Sequence, residues 1–293
     1  MALCCNSRHC SLDPHEGAKR AVVEGVARVS AVGAKAVGVT DCLNYGSPQV
    51  PEQMGQIVAG VDGIAEACRT LDVPVVSGNV SLYNQTDDKA VLPTPTVGVV
   101  GVVDDLNRVA PAQALKAGDV LVRIGAPPTS LEGSFAVWQH AGRRGGLAKL
   151  DLASTNALCA LVRDLRTSGD VLDARPVLAG GLAQTVFEIA RQSDLVARAT
   201  LPDGEDFLVG FLGEDRVTFL VVVDNQGTDA VRARCAAAGI ECAVLGSLGV
   251  SSSFRLADAQ GDRAFDSDWK KLVDAAEAVV PDLVAGRRAG SGA

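Results

Sequence analysis

The 293-residue chain has no run of 18 apolar residues, so no membrane-spanning helix is expected. It has no cluster of basic residues. With 27 Lys and Arg against 35 Asp and Glu, the formal charge of −8 argues against a nucleic-acid or anionic-membrane surface. A bound phosphate ligand is compatible with that charge, because Mg²⁺ and backbone N–H groups offset acidity locally. The usual phosphate loops are absent: there is no G-x-x-x-x-G-K-[ST], and no G-x-G-x-x-G follows a strand signal. The eight cysteines include no C-x-x-C pair, and Met1-Ala2-Leu3 runs into polar residues without a secretory leader pattern. Disulfide frameworks belong to short secreted chains, so reduced, mostly buried thiols in a cytoplasmic protein are expected. Cys4, Cys5 and Cys10 crowd the N-terminus with His9 and His15, but their spacing matches no standard zinc site. None of the three histidines sits in a motif that makes it a general base, so no catalytic residue is assigned. No short-period repeat is present.

What is present is a globular composition, 47% hydrophobic and 21% charged, and enough length for two domains with separate cores. Residues 14–35 have helical spacing, with Ala18, Val22, Val23, Val26, Ala27 and Val29 near one face, Asp13-Pro14 as cap and first turn, and Gly33 as stop. A buried strand is expected over 36–40, with Asp41 just past its end. A helix opens at Pro51-Glu52, with Met54, Ile57, Val58, Val61, Ile64, Ala65 and Cys68 at helical spacing, and ends at Asp72. Strands are expected at 73–76 and 93–103. Pro111 to Asp119 reads as a boundary, followed by a strand at 120–124 and a Gly-rich loop at 125–133. Helices near 152–167 and 180–192 come next, then strands at 206–212 and 217–223, a helix at 227–239 and a strand at 241–247. A last helix over 267–279 points Trp269, Leu272 and Val273 inward, and the tail Gly286 to Ala293 is expected to be disordered. The fold class is α/β, with domains at 1–112 and 113–265 and a terminal helix and tail at 266–293.

Two segments carry the candidate chemistry. In Val75-Val76-Ser77-Gly78-Asn79-Val80-Ser81-Leu82-Tyr83-Asn84 a strand signal runs into small and polar residues. Gly78 admits close approach of a ligand to the backbone. Asn79 offers a neutral oxygen to a hard cation, and Ser77, Ser81 and Asn84 offer hydroxyl and amide groups suited to phosphate. One helix upstream, Thr40-Asp41-Cys42-Leu43-Asn44-Tyr45-Gly46-Ser47-Pro48 has a similar character. Both are expected in loops at strand ends, where rigid scaffolds commonly hold ligand-binding groups. Each residue also has a plain structural reading. Asp41 could cap a turn, Asn79 could be a turn residue, and Ser81 could bond its own backbone. Asn44 and Asn84 are secondary site candidates. Arg8 with His9 could contact phosphate or form a solvated terminal segment. Glu205-Asp206 and Glu214-Asp215 read as strand-end turns and exposed charge.

Several strings together resemble a known family. Asp13-Pro14-x-x-Gly17-Ala18, Val32-Gly33-Ala34-Lys35-Ala36, Thr40 to Gly46 and Val75 to Asn84 are similar to the second half of the large synthetase subunit of phosphoribosylformylglycinamidine synthase. So are Pro93-Thr94-Pro95-Thr96-Val97-Gly98, Leu131-x-Gly133-Ser134 and Gly180-Gly181-Leu182. That subunit belongs to the aminoimidazole-ribonucleotide-synthetase-like ATP enzymes, whose halves each comprise a barrel-forming N-terminal domain and a mixed-sheet C-terminal domain. The resemblance implies that Asp41 and Gly78 contact ATP, Asn79 holds Mg²⁺, and Ser81 touches formylglycinamide ribonucleotide. Asp41 together with Asn79 could supply oxygen ligands to the metal. The implied activity is that of a purine-biosynthesis ligase: ATP activates an amide oxygen as an imidophosphate, which ammonia from glutamine displaces. The implied partners are a first-half synthetase domain or chain, a glutaminase subunit and a small bridging subunit, or a second copy in a homodimer.

Three departures accompany the resemblance. The chain begins where the family's second half is already under way, without the first half, its catalytic His, or the opening strand of this half. Cys4 stands where the family usually has an acidic residue two positions before Asn6. The family's Asp-Val-Ser-Asp-Gly-Gly-Leu is Pro176-Val177-Leu178-Ala179-Gly180-Gly181-Leu182 here, without either carboxylate. This loss weakens a nucleotide or metal role for the second domain. The expected function is therefore part of a split synthetase, and the alternative is a homodimeric or non-catalytic nucleotide-binding module.

Overall fold

The computed structural model describes residues 1–106, 115–142 and 144–285. The boundary expected between 112 and 113 and the tail 286–293 lie outside the described residues. The first region begins with β1 (Ala2–Cys4), α1 (Ser7–Leu12), α2 (Pro14–Ala31), β2 (Lys35–Asn44), α3 (Pro51–Thr70) and β3 (Val75–Ser81). A small ribbon of β4 (Gln85–Thr86) and β5 (Lys89–Ala90) leads into β6 (Thr94–Val102). Four of these strands form a sheet in the order β1-β6-β2-β3, in which only the β2–β3 pair is parallel.

The second region contains β7 (Val120–Ile124), α4 (Phe135–Ala141), α5 (Leu152–Ser168), β8 (Asp173–Pro176), α6 (Gly181–Ser193), β9 (Val196–Thr200) and α7 (Phe207–Leu212). It continues through β10 (Phe219–Val223), α8 (Thr228–Ala237), β11 (Cys242–Gly249), β12 (Ser253–Ala257), β13 (Ala264–Asp268) and α9 (Trp269–Val284). Its seven-stranded mixed sheet has the order β13-β12-β9-β11-β7-β10-β8.

Local chemistry accounts for most of these elements. Asp13 caps α2 by accepting from the N–H groups of His15 and Glu16, and Pro14 occupies the first turn, where its missing N–H costs nothing. Gly33 takes φ +83° just beyond the helix. The apolar residues predicted for one face of α2 are buried, and the helix is enclosed on nearly every side. On α3 the apolar stripe is wider than the core it meets: Ile64 and Cys68 are buried, whereas Met54, Val58 and Val61 are exposed.

The central strands β7 and β10 are covered on both faces. Alternation sends Val122, Ile124, Phe219, Val221 and Val223 into a core shared with α2 and α5, and Leu121, Leu220 and Val222 into one shared with α6. Trp269 of α9 stacks on Phe254 at 6.0 Å and meets Phe187 edge-on at 5.7 Å. The strand expected at 206–212 is instead α7. A short apolar run does not distinguish the two by periodicity, and the Asp206 carboxylate, accepting from Leu208 and Val209 N–H, sets the helix.

Candidate functional site

The two motifs lie side by side within strands, not in the loops expected for them. β2 runs on through Asn44 and β3 through Ser81, because Thr40 to Asn44 hydrogen-bonds to β6 on one side and β3 on the other. Backbone pairing on both sides outweighs the polar composition. Asp41 is opposite Gly78, Cys42 opposite Asn79, and Asn44 opposite Ser81.

Successive residues of a strand face opposite ways, so this register separates the candidates. Asp41 and Gly78 share the helix-covered face with fully buried Val97, the β6 partner of Asp41. Asn79 and Ser81 are on the other face. The side chains of Asp41 and Asn79 are therefore not convergent, contrary to the expectation that they form one ligand pair. β3 is the sheet's edge strand, so a ligand lying along it meets backbone groups and both faces.

Gly78 is required by Asp41. A Cβ at position 78 would stand 2.4 Å from Asp41 Oδ1 and 2.8 Å from its Cγ, so the bare glycine backbone is what lets the carboxyl lie there. Burial pushes the Asp41 carboxyl up from its ordinary value. Among the described residues it makes no hydrogen bond or ion pair. A half-buried acid without a partner, against an edge strand, is free to accept hydrogen bonds from a ligand.

Ser81, Asn44 and Asn84 are engaged in the framework. Asn84 Nδ2 donates to the carbonyls of Tyr45 (3.1 Å) and Ser81 (2.8 Å), while Ser81 Oγ donates to Asn84 Oδ1 at 3.2 Å. Asn44 Nδ2 donates to the Cys42 carbonyl at 3.0 Å. These bonds fix the chain as it leaves β2 and β3. On the outer face Thr40 and Ser77 hydroxyls are 2.8 Å apart.

Tyr45 beneath this turn is 1% exposed, and its hydroxyl has no partner. A Cβ at Gly60 would come within 2.2 Å of that hydroxyl oxygen, so α3 packs directly on the phenol. Burial pushes the phenol pKa up. Removing an unsatisfied buried hydroxyl is favourable, so Tyr45→Phe is expected to stabilise the protein by about 1–2 kcal/mol. Urea unfolding checks this, and a lower midpoint in the variant would show that the hydroxyl has a partner.

Sequence reasoning missed a second polar assembly, between α1 and the second sheet region. Arg8 donates to Glu214 at 2.8 Å and to the carbonyl of Gly133, and His9 Nε2 donates to the same carbonyl at 3.0 Å. Glu214 also accepts from the N–H groups of Phe135 (2.7 Å) and Gly180 (2.9 Å). Arg20 donates to the carbonyls of Glu214, Asp215 and Ala148, and Asp215 accepts from the Thr129 N–H and hydroxyl. Glu214 and Asp215 are buried, not exposed charge, and Arg8 and His9 are not a solvated terminus.

Glu205 and Asp206 are likewise engaged, Glu205 in a two-pronged pair with Arg123 and Asp206 as the α7 cap. No local sequence signal marks the Glu214 assembly, because Arg8 and Glu214 meet only through the tertiary fold. The assembly has a local consequence: the Gly180 N–H, at the motif without the family's carboxylates, is already bonded to Glu214. Among the described residues no three His, Cys, Asp or Glu side chains converge as a metal cage, and no helix is long and apolar enough to cross a membrane.

Residues 2–103 match the AIR synthase related protein, N-terminal domain, and residues 116–258 match the corresponding C-terminal domain. The chain is 41% identical over 256 residues to the phosphoribosylformylglycinamidine synthase subunit PurL of Sinorhizobium fredii, covering 86% of this chain and 34% of that protein. Against PurL of Rhodopseudomonas palustris the identity is 36% over 282 residues, covering 96% and 38%. The chain thus spans about a third of the length of the curated relatives it matches. T. maritima PurL complexed with FGAR superposes with a TM-score of 0.76 at 17% identity, over 92% of this chain and 45% of that one. E. coli HypE, a hydrogenase maturation protein, superposes with a TM-score of 0.66 at 20% identity, over 91% and 84%. At these identities the solved structures establish a shared fold. With both of its sheet regions matched in chain order, the chain belongs to the AIR synthase related family.

Proposed function

We propose that this chain supplies one wall of the ATP, Mg²⁺ and substrate site of a phosphoribosylformylglycinamidine synthase. That enzyme converts formylglycinamide ribonucleotide, ATP and glutamine-derived ammonia into the amidine, ADP and phosphate. The observation that carries the reading is the unpartnered Asp41 carboxylate lying against Gly78 on an edge strand. ATP, when bound, supplies the phosphoryl group that activates the substrate amide. Asp41 and the Gly78 backbone position the nucleotide, Asn79 offers an oxygen to Mg²⁺, and Ser81 faces the substrate. The donor set fits the metal: Mg²⁺ takes one or two protein oxygens and fills its octahedron with waters and phosphate oxygens, so no three-residue cage is needed. Catalysis by such a wall consists of positioning and charge neutralisation.

The outer face of the first sheet supports a partner's participation. Leu3, Val76, Val100 and Val102 leave it apolar and exposed. The partner is a first-half synthetase domain or chain, with a glutaminase and a small bridging subunit delivering ammonia. A homodimeric or non-catalytic module is the second reading, favoured by the same face and by the absence of an assignable general base.

Isothermal titration with Mg-ATP is expected to give heat that disappears in Asn79→Ala, with circular dichroism showing an intact fold. Unchanged binding in the variant would overturn the metal assignment. Amidine formation is expected only when a first-half chain is added, and turnover by this chain alone would refute the split-site reading.

A further inference from the structure

The turn that leaves β3 is strained at one residue. Tyr83 follows the end of the strand by two positions and takes φ +60°, in the left-handed region that a bulky side chain rarely adopts. Hydrogen bonds hold it there. Its N–H donates to the Gly46 carbonyl at 3.0 Å, and the next N–H, of Asn84, donates to the Tyr45 carbonyl at 3.1 Å. The Asn84 side chain closes the turn on the carbonyls of Tyr45 and Ser81. Asparagine tolerates this conformation far better than an aromatic residue, and one stands at the very next position. The strained place is nonetheless taken by tyrosine.

The ring gains nothing from the fold in return. Tyr83 is 56% exposed, and among the described residues its side chain makes no ring contact or hydrogen bond. A lone exposed tyrosine is ordinary, but residues held against their backbone preference cluster at ligand sites. Composition narrows the role. Tyr45 and Tyr83 are the only Phe, Trp or Tyr residues before Phe135, and Tyr45 is buried against α3. The first region therefore offers one accessible aromatic ring, at the end of the edge strand that carries Gly78, Asn79 and Ser81.

Given the nucleotide site proposed above, on which this reading rests, we infer that Tyr83 is its base platform. The adenine of the bound nucleotide stacks on the Tyr83 ring while the polyphosphate lies along Gly78 and Asn79. Asn79 and Tyr83 are four residues apart, at most about 14 Å of extended chain, a span that one nucleotide covers from phosphate to base. Stacking uses the face of the ring and not its hydroxyl, and it is worth roughly a tenfold or greater gain in affinity. The hydrogen-bonded turn fixes the root of the side chain before the ligand arrives, which lowers the cost of ordering it on binding.

Isothermal titration of the full chain with Mg-ATP and, separately, with Mg-tripolyphosphate tests the assignment. Tyr83→Ala is expected to weaken Mg-ATP binding roughly tenfold or more, and to leave binding of Mg-tripolyphosphate, which has no base, within about twofold of wild type. Tyr83→Phe keeps the ring face and should bind Mg-ATP within about twofold of wild type. Tyr83→Gly should lose ATP affinity like the alanine variant yet unfold at a higher urea concentration, since glycine adopts φ +60° without strain. Unchanged Mg-ATP binding in Tyr83→Ala, or equal weakening of both ligands, overturns the platform and leaves the nucleotide site standing. A lower urea midpoint in Tyr83→Gly also overturns it, by showing that the ring is packed for stability. A wild-type chain that fails to bind Mg-ATP overturns the nucleotide site itself and the platform with it.

Discussion

Glu214→Ala is expected to cost roughly 3–5 kcal/mol of folding free energy, a large share of the ~5–15 kcal/mol that holds a typical domain together. The Glu214 carboxylate is buried and accepts from Arg8 and from two backbone N–H groups. Its removal strands a guanidinium in a site that, among the described residues, offers it the Gly133 carbonyl and the face of Phe135, 5.7 Å away. The N–H groups of Phe135 and Gly180 lose their acceptor at the same time. A buried pair is worth little against a well-packed apolar substitute, but breaking one side leaves an uncompensated charge. Arg8→Ala combined with Glu214→Ala should therefore cost less than the two single changes together. Urea unfolding followed by far-UV circular dichroism measures all three. A loss under about 1 kcal/mol for Glu214→Ala would mean that the site relaxes or floods with water and leaves no charge stranded.

Acid sensitivity at His9 is the second large effect. Its ring is held far below the usual value, at about 3, by burial first and by the Arg8 and Arg20 charges second. The unfolded chain protonates this histidine near pH 6.5, whereas the folded protein does not until about pH 3. Below 6.5 the unfolded state binds the extra proton, so the stability due to neutral His9 is intact above that pH and is lost as pH falls toward 3. At about 1.4 kcal/mol per pH unit, roughly 3 kcal/mol disappears between pH 6.5 and 4. His9→Gln keeps an N–H donor for the Gly133 carbonyl and has nothing to titrate. The wild type is therefore expected to lose about 3 kcal/mol more than His9→Gln over that interval. Parallel pH profiles in the two proteins would contradict a buried neutral ring.

What the sequence made legible, and what it did not, follows from the range of the forces involved. Caps and periodicity act within one or two turns, so Asp13-Pro14 at α2, Asp72 after α3 and the Trp269 face of α9 could be read directly. Strand ends could not, because Asp41 and Gly78 are held in strands by neighbours supplied from elsewhere in the chain. The motif residues were identifiable by type, but their facing was not: whether Asp41 and Asn79 converge depends on register alone. Arg8 and Glu214, 206 positions apart, carry no local signature of their pairing. Phe207 to Leu212 failed for a different reason, since six mostly apolar residues fit either period until the Asp206 cap decides.

The apolar core that runs from α2 through α5 to the face of the second sheet has a mechanical consequence. A hinge needs a plane of weak contact, and here that plane is filled with Val, Leu and Ala side chains and crossed by the Arg8 and Arg20 bonds. The two sheet regions are consequently expected to move as one block. In the proposed split-site reading, opening and closing around the β3 edge would come from the body docked on the outer sheet face.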